Sequence, residues 1–447
     1  MAKLAHAQWS SKMGFVLAAA GSAVGLGNIW RFSYMTGESG GAAFVLVYLA
    51  CVTLVGLPIL VAEWMIGRRG QKNPINTMAE LASSHGRSRA WASIGISGVL
   101  AAFLILSFYS VIGGWSLNYT LGSVIGTFDG QDADTVGAMF SELLGNPKAL
   151  LIWHTAFMLL VIGIVARGVT KGLEAASRIL MPALVVLLLV LVGYGMASGY
   201  FGEALSFMFS PDWGALDGGV VLAAMGQAFF TLSLGMGIMM AYGSYLGEDV
   251  NLISTARTVI ILDTAIALLA GLAIFPIVFA NGLSASEGPG LIFITLPLAF
   301  GNMSGGTILG LMFFLLLTFA ALTSAISLLE PVVETLEERT SLSRIGATLV
   351  SAIAVWLLGV AALLSFNVWS DVLFFGLNIF DFLDTFTSKI LLPLTGLGAI
   401  IFFSLCLDKE EARKELRLDI YDFTLWNLLA KYVAPLGVIV VFLTGLI

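Results

Sequence analysis

Two glycine-rich stretches interrupt apolar segments of the sequence. The first runs from Gly21 to Asn28 (Gly-Ser-Ala-Val-Gly-Leu-Gly-Asn) and the second from Phe230 to Gly237 (Phe-Thr-Leu-Ser-Leu-Gly-Met-Gly). Because glycine inside a helix costs about 1 kcal/mol relative to alanine, both segments are poor helix formers. A helix broken at such a stretch frees carbonyls and amides, which can hold ions and the charged ends of a small molecule. Close packing of small residues explains one stretch equally well, but two of them favour paired broken helices.

Other polar residues stand alone in apolar surroundings. Asp263 lies in one apolar segment and the pair Thr323-Ser324 in another. A lone carboxylate in hydrocarbon costs at least about 2.5 kcal/mol, so Asp263 needs a partner. Each of these residues also has a purely structural interpretation. Asp263 would be hydrogen-bonded to neighbouring helices, and Thr323 and Ser324 would hydrogen bond to carbonyls of their own helix.

The composition places these residues in a membrane protein. Of 447 residues, 58% are hydrophobic and only 11% are charged, whereas a soluble protein carries roughly 25% charged residues. The apolar runs are long enough for helices that cross a hydrocarbon core of roughly 30 Å. Runs such as 183–193 and 310–321 do not alternate, which excludes a barrel. Nothing in the composition suggests a nucleic-acid partner, and Cys51 and Cys406 lie in different apolar segments, which argues against a disulfide.

Hydropathy predicts a single all-α integral membrane domain over 1–447 with about eleven spans. The first apolar run continues into the glycine-rich stretch rather than a cleavage site, so we expect it to remain as a helix. The predicted spans are 13–36, 42–67, 91–124, 149–166, 176–197, 219–246, 256–280, 305–337, 344–365, 371–406 and 423–447.

Charged residues separate by side. Arg68, Arg69, Arg344 and most other basic residues fall in loops of one parity, and the opposite loops are acidic with Lys148 as their one clear basic residue. Because basic loops stay in the cytoplasm, the N-terminus is predicted to be cytoplasmic and the C-terminus outside. The expected location is the cytoplasmic membrane of a bacterium, with membrane lipid as a partner.

Several motifs resemble those of one family in register. They are Gly21–Phe32 in span one, Glu63 in span two, Tyr109 and Trp115 in span three, Gly226–Gly235 in span six and Ala320–Ser324 in span eight. The sequence resembles the neurotransmitter:sodium symporter family over nearly its whole length, and most of all bacterial members with eleven spans. The resemblance implies two inverted five-helix repeats, about 13–197 and 219–406, with spans one and six broken in mid-membrane and an extra helix at about 423–447.

The resemblance also implies two sodium ions carried with the substrate. Site one would use the Ala23 carbonyl, Asn28, Thr231, Asp263 and the substrate carboxylate. Site two would use Gly21, Val24, Ala320, Thr323 and Ser324. An all-oxygen cage suits a hard cation.

Asp263 departs from the family pattern. The family usually has asparagine there, and many bacterial relatives have a glutamate one turn later, where this sequence has Ala267. We infer that Asp263 ligates sodium and supplies the negative charge itself, so chloride would be unnecessary. A register one residue off would place Leu262 at the site instead.

The implied substrate site suits a hydrophobic L-amino acid. Amides of Gly25–Gly27 and the Tyr109 hydroxyl would hold its carboxylate, and carbonyls of Ala23, Phe230 and Thr231 with Ser233 its ammonium. The side-chain pocket would consist of Ser22, Leu26, Ile105, Phe230, Met236, Ser324 and Leu328. This pocket is apolar, and the adaptable Met236 favours both branched aliphatic and aromatic side chains.

Two gates complete the expectation. Arg31 would face Asp384, or alternatively Asp381, across an outer vestibule above a lid of Phe230 and Tyr109. The inner gate would use Glu338 with His6 or Lys3, in a region that includes Tyr245. Gly172 and Pro182 would let the start of span five unwind, and Glu63 would brace the broken part of span one.

The resulting hypothesis is sodium-coupled import of hydrophobic L-amino acids by alternating access, with a monomer sufficient and no catalytic residues. A proton-coupled transporter, in which Asp263 titrates, and a non-transporting receptor of the same fold remain alternatives. An intramembrane enzyme is less favoured, because the spans contain no HExxH or Ser–His arrangement.

Overall fold

The predicted all-α fold is confirmed. A computed structural model describes residues 8–285 and 290–445, and within them the only bridge between extended residues is the isolated pair Phe374 and Leu377. Helices dominate because a lipid-covered backbone must satisfy its own hydrogen bonds, which a helix does within each segment.

Nine helices in the described part of the chain are long and apolar enough to cross a membrane, and the two halves of span one make a tenth. The predicted span six consists of two shorter helices in the described part of the chain. The spans are Lys12–Ala23 with Gly27–Glu38, Ala42–Gly70, Arg89–Val124, Pro147–Val165, Val169–Ala197, Gly218–Thr231 with Ile238–Ser244, Leu252–Ala280, Gly306–Arg339, Arg344–Leu364, Ile379–Cys406 and Ile420–Val440.

Shorter helices lie between the spans. They are Pro74–Ser84, Ala133–Gly145, Phe201–Phe209, Leu291–Thr295 continuing into Leu296–Gly301, and Lys409–Leu416. Ala434–Gly445 completes the last span. We call the end of the bundle that carries Arg68, Arg69 and Arg344 the basic end, and the opposite end the acidic end.

Span one is broken where the glycine-rich stretch predicts. Its first half is capped by Ser11, whose side chain accepts from the Gly14 amide, and it ends at Ala23. Val24 is extended (φ −75°, ψ 96°), and the second half begins at Gly27 with a wide π-helical turn. The two halves meet at 49°.

Span six is broken over Leu232–Gly237. Asp217 caps its first half, and the chain then passes through left-handed conformations at Ser233 (φ 53°), Gly235 (φ 74°) and Gly237 (φ 69°). Glycine adopts such angles without steric cost, which explains why the break falls on this sequence. A Cβ on Gly235 would also lie 2.4 Å from the carbonyl oxygen of Leu392, so the residue must be glycine for close packing as well.

Two predicted boundaries are wrong. Span five begins at Val169 rather than 176, because a π-helical turn, Val169–Glu174, extends it. Span ten begins at Ile379 rather than 371, because the preceding residues form a tight two-residue hairpin whose turn is Phe375-Gly376. Apolar residues suit a helix and an exposed hairpin alike, so hydropathy did not separate them.

Candidate functional site

The two breaks face each other in the centre of the bundle. The Ser233 hydroxyl donates to the Ser22 carbonyl oxygen at 3.0 Å, which joins span six to span one. From span eight, the Ser324 hydroxyl donates to the same carbonyl at 3.1 Å. A Cβ on Gly25 would lie 2.2 Å from the Ser324 Oγ, so only glycine allows this approach. The freed backbone of both spans therefore lies at one buried centre.

The residues predicted for site one lie together. The Asn28 Nδ2 donates to Asp263 Oδ1 at 2.7 Å, and the Thr231 hydroxyl donates to the same oxygen at 3.0 Å. All three side chains are fully buried. The structure thus brings Asp263, rather than its half-buried neighbour Leu262, against the two breaks. Ala23 lines the adjoining cavity.

These groups have the chemistry of a hard-cation site. The side-chain oxygens available are the Asn28 amide oxygen, the Thr231 hydroxyl and the Asp263 carboxylate, with no sulfur or imidazole among them. Oxygen ligands suit a hard cation such as sodium. The hydrogen bonds that reach the carboxylate come from neutral groups, so a bound cation would supply the missing positive charge.

Four residues predicted for site two lie where spans one and eight meet. The Thr323 hydroxyl is 3.1 Å from the Ala320 carbonyl oxygen and 3.4 Å from that of Val24. A Cβ on Gly21 would be 3.5 Å from Thr323 Cβ, which places that glycine beside the same cluster. Ser324 bonds to Ser22 instead and lines the neighbouring cavity.

A small cavity beside site one is lined by most of the predicted substrate residues. Its lining consists of Ser22, Ala23, Gly25, Gly27, Ile105, Tyr109, Phe230, Ser233, Met236, Ser324 and Leu328. Its volume is about 20 Å³, room for about one water molecule. A ligand the size of an amino acid would therefore require residues of this lining to move.

The polar groups at this cavity are paired with one another. The Leu26 amide donates to the Tyr109 hydroxyl at 3.1 Å, and the Gly25 amide donates to Asn28 Oδ1 at 3.0 Å. The Gly27 carbonyl accepts from Gln227 at 2.7 Å. A ligand carboxylate would replace the acceptors of the first two bonds, which are the Tyr109 hydroxyl and Asn28 Oδ1. The amides of Gly25 and Leu26, predicted to hold that carboxylate, are therefore close to one another.

The predicted outer gate pair lies above the cavity without an ion pair. Arg31 and Asp384 line one small chamber together with Tyr34, but the described part of the chain contains no ion pair between them, with nitrogen and oxygen within 4 Å. The Arg31 guanidinium lies 4.7 Å from the ring centroid of Phe230, a cation–π contact. Phe230 and Tyr109 line both the chamber and the cavity beneath it, as expected of a lid.

At the basic end, Tyr245 belongs to a buried ionic network. Its hydroxyl donates to Glu330 at 2.8 Å, and Arg344 pairs with the same carboxylate. Trp9 closes this region, because its indole N–H donates to the Tyr242 carbonyl oxygen at 3.1 Å and its ring packs against Tyr245.

Other predicted gate residues have different surroundings. Glu338 accepts from the backbone and side chain of Asn73 and from Asn76 at 3.1 Å; its predicted partners His6 and Lys3 lie outside the described residues. Gly172 lies in the π-helical turn and Pro182 inside the following helix, so the start of span five is wound in this conformation.

Glu63 does not have the predicted contact. Its carboxylate accepts from the Gly235 amide at 2.9 Å, so its hydrogen bond braces the break of span six rather than that of span one, where the brace was expected. Sequence reasoning also missed Tyr48, whose hydroxyl lies 3.4 Å from Asp263, and the pairing of Glu330 with Arg344. The buried position of Glu330 was a signal for such a partner.

Two discontinuous spans around a buried, oxygen-lined centre define a membrane transporter built on broken helices. The sequence model of the sodium:neurotransmitter symporter family matches residues 6–134 and 140–447. The chain therefore belongs to this family of sodium-dependent symporters.

Individual relatives agree with the family. An uncharacterised sodium-dependent transporter of Bacillus subtilis is 40% identical over 98% of this chain and 97% of its own length. One of Haemophilus influenzae is 36% identical over 98% of both chains. The crystal structure of MhsT in complex with L-phenylalanine is similar with a TM-score of 0.91 and 47% identity, over 98% of this chain and 99% of that one.

Proposed function

We propose that this symporter imports hydrophobic L-amino acids together with two sodium ions. The observation that carries the proposal is the position of Asn28, Thr231 and Asp263, which form an oxygen-lined centre beside the apolar cavity. A substrate carboxylate at the freed amides of span one would complete site one. The same ligand would thereby link substrate binding to sodium binding.

The substrate class follows from the lining of the cavity. Ile105, Met236 and Leu328 offer no charge or hydrogen bond to a side chain, so a polar side chain would lose its hydration without compensation. Branched aliphatic and aromatic side chains fit such a lining, and methionine is flexible enough to accommodate both. The relative MhsT was crystallised with L-phenylalanine, which belongs to this class.

Asp263 makes chloride unnecessary in this proposal. The carboxylate provides one fixed negative charge within contact of site one, the charge that would otherwise have to come from a bound anion. Site two contributes the second ion at Thr323, where a hydroxyl and two backbone carbonyls meet.

Transport would proceed by alternating access across the bacterial cytoplasmic membrane, with the basic end in the cytoplasm. Closure of Arg31 and Phe230 over the substrate would precede release of the Trp9 and Glu330–Arg344 contacts at the basic end. Unwinding near Gly172 and Pro182 would then admit water to site two. One copy of the chain contains every group in this scheme, so a monomer suffices.

Uptake of radiolabelled leucine and tryptophan into proteoliposomes tests the proposal, with sodium, chloride and proton gradients imposed one at a time. We expect accumulation with the sodium gradient alone. Accumulation only with a proton gradient would support titration of Asp263 instead, and binding without accumulation under any gradient would indicate a receptor.

A further inference from the structure

The loop between spans nine and ten forms an exposed apolar hairpin at the acidic end. The Phe374 amide donates to the Leu377 carbonyl oxygen at 2.8 Å, and the Leu377 amide donates back at 3.0 Å. Phe375 and Gly376 form the turn with φ angles of 53° and 82°. Turns with two positive φ angles strongly prefer Asn-Gly or Gly-Gly, so phenylalanine at the first position is unexpected.

Phenylalanine is unfavourable at position 375 for two separate reasons, one conformational and one due to its exposure to water. A bulky side chain with positive φ is a conformational outlier, and this one is also 95% exposed. Val368 is 67% exposed and Leu373 56%, so the tip belongs to an apolar patch rather than standing alone. Such strain and exposure persist where the surroundings compensate for them, and such a patch marks an interaction surface.

From this geometry we propose that the hairpin is a membrane anchor, whose tip at Phe375 inserts into the lipid headgroup layer at the acidic end. The loop joins two spans that end at Leu364 and begin at Ile379, so its residues lie close to the bilayer surface. Between these two ends the only charged residue is Asp371. Aromatic side chains favour this layer, because their apolar rings leave water there.

Exposed apolar residues also occur along span nine, the helix that leads into this loop. Ile353 and Leu357, one turn apart on that helix, are 54% and 58% exposed, as expected of residues that face acyl chains. Val368 and Trp369 follow shortly after the helix ends, and both are exposed. A lipid surface would therefore cover the exposed residues of span nine and the hairpin together.

The anchor is also connected to span ten. The ring of Phe375 stacks on that of Phe382 with centroids 6.1 Å apart, and Phe382 stacks on Phe386 at 5.8 Å. Asp384 lies between these two residues on the same helix and lines the outer chamber. Insertion of the tip would thus fix the end of span ten that carries this carboxylate.

The depth of the tip can be measured with a spin label at Phe375→Cys in lipid nanodiscs. The buried Cys51 and Cys406 stay in place, and labelled wild type gives the background. We expect collisions with lipid-soluble oxygen to exceed those with a water-soluble nickel complex. The matched control is Asp134→Cys, an exposed position on an acidic-end helix, where the nickel complex should dominate. Nickel access at 375 equal to that at 134 would overturn the proposal, and so would shielding from both reagents, which would indicate a protein cover.

A second measurement keeps the native tip, because a spin label is itself apolar. With the label at Ser370→Cys, we expect an oxygen preference in protein that retains Phe375. Phe375→Asn, which tolerates the left-handed turn, should lower the ratio of oxygen to nickel collisions several-fold, so that nickel collisions dominate. Phe375→Trp should restore the ratio seen with the native tip. No oxygen preference with the native tip, or the same preference in all three proteins, would contradict the anchor.

Discussion

Replacing Asp263 by asparagine tests the proposed charge at site one. Asparagine has nearly the same shape, but it is neutral and presents one acceptor oxygen in place of two. In the structure, Asn28, Thr231 and Tyr48 direct donors at the carboxylate with distances of 2.7, 3.0 and 3.4 Å. All three donors are neutral, so in our account sodium is the counter-charge of Asp263.

The size of the effect follows from this contact. Two unit charges 4 Å apart interact by about 4 kcal/mol at an effective dielectric constant of 20. The neutral variant keeps part of this attraction through its amide dipole and no longer buries a charge, so a net loss of about 1.5–3 kcal/mol is reasonable. That loss corresponds to roughly 10- to 150-fold weaker apparent sodium affinity.

The assay is sodium-dependent leucine uptake in proteoliposomes, together with the sodium-induced rise of the melting temperature of the purified protein. Ligands that bind only the folded state raise its stability, so Asp263→Asn should require more sodium for the same rise. Asp132→Asn is the matched control. It removes the same charge at an exposed helix N-cap, where asparagine caps equally well. If both variants keep the wild-type sodium dependence, the assignment of Asp263 is incorrect.

Three further substitutions have defined outcomes. Tyr109→Phe removes the hydroxyl that would donate to the substrate carboxylate and should weaken leucine binding by about 1–3 kcal/mol, measured by equilibrium binding; unchanged affinity would contradict the carboxylate site. Met236→Phe fills the cavity and should reduce tryptophan uptake more than leucine uptake. An equal change in both would contradict the assignment of Met236 to the side-chain pocket. Glu330→Gln removes the buried charge that pairs with Arg344, which keeps only the more exposed Glu337 at 3.5 Å, and should lower the melting temperature; an unchanged value would show that the buried pair contributes little to stability.

Much of the fold could be predicted because the membrane imposes strong periodic constraints. The breaks in spans one and six follow from local composition, since Gly235 and Gly237 adopt angles that few other residues tolerate. The start of span ten could not be predicted in the same way. Val372 to Phe375 are as apolar as a span, and only the hydrogen bonds between Phe374 and Leu377 distinguish a hairpin from a helix.

The candidate site, like the fold, could be predicted only in part from the sequence. The sequence resemblance selected Asn28, Thr231 and Asp263, and the structure places them in contact. Contacts between segments far apart in the sequence were harder to predict. The carboxylate of Glu63 turns towards span six, which depends on the tilt of packed helices rather than on residue type. The pairing of Glu330 with Arg344 likewise depends on how the helices after span eight fold back.

The ratio of sodium to amino acid taken up is the most direct test of the account. Entry of ²²Na⁺ and of tritiated leucine would be measured in the same proteoliposomes, in chloride-free gluconate buffer with equal pH on both sides. Two sodium ions per leucine would agree with ions bound at Asp263 and at Thr323. Leucine accumulation without sodium entry, or its loss when chloride is omitted, would contradict the account.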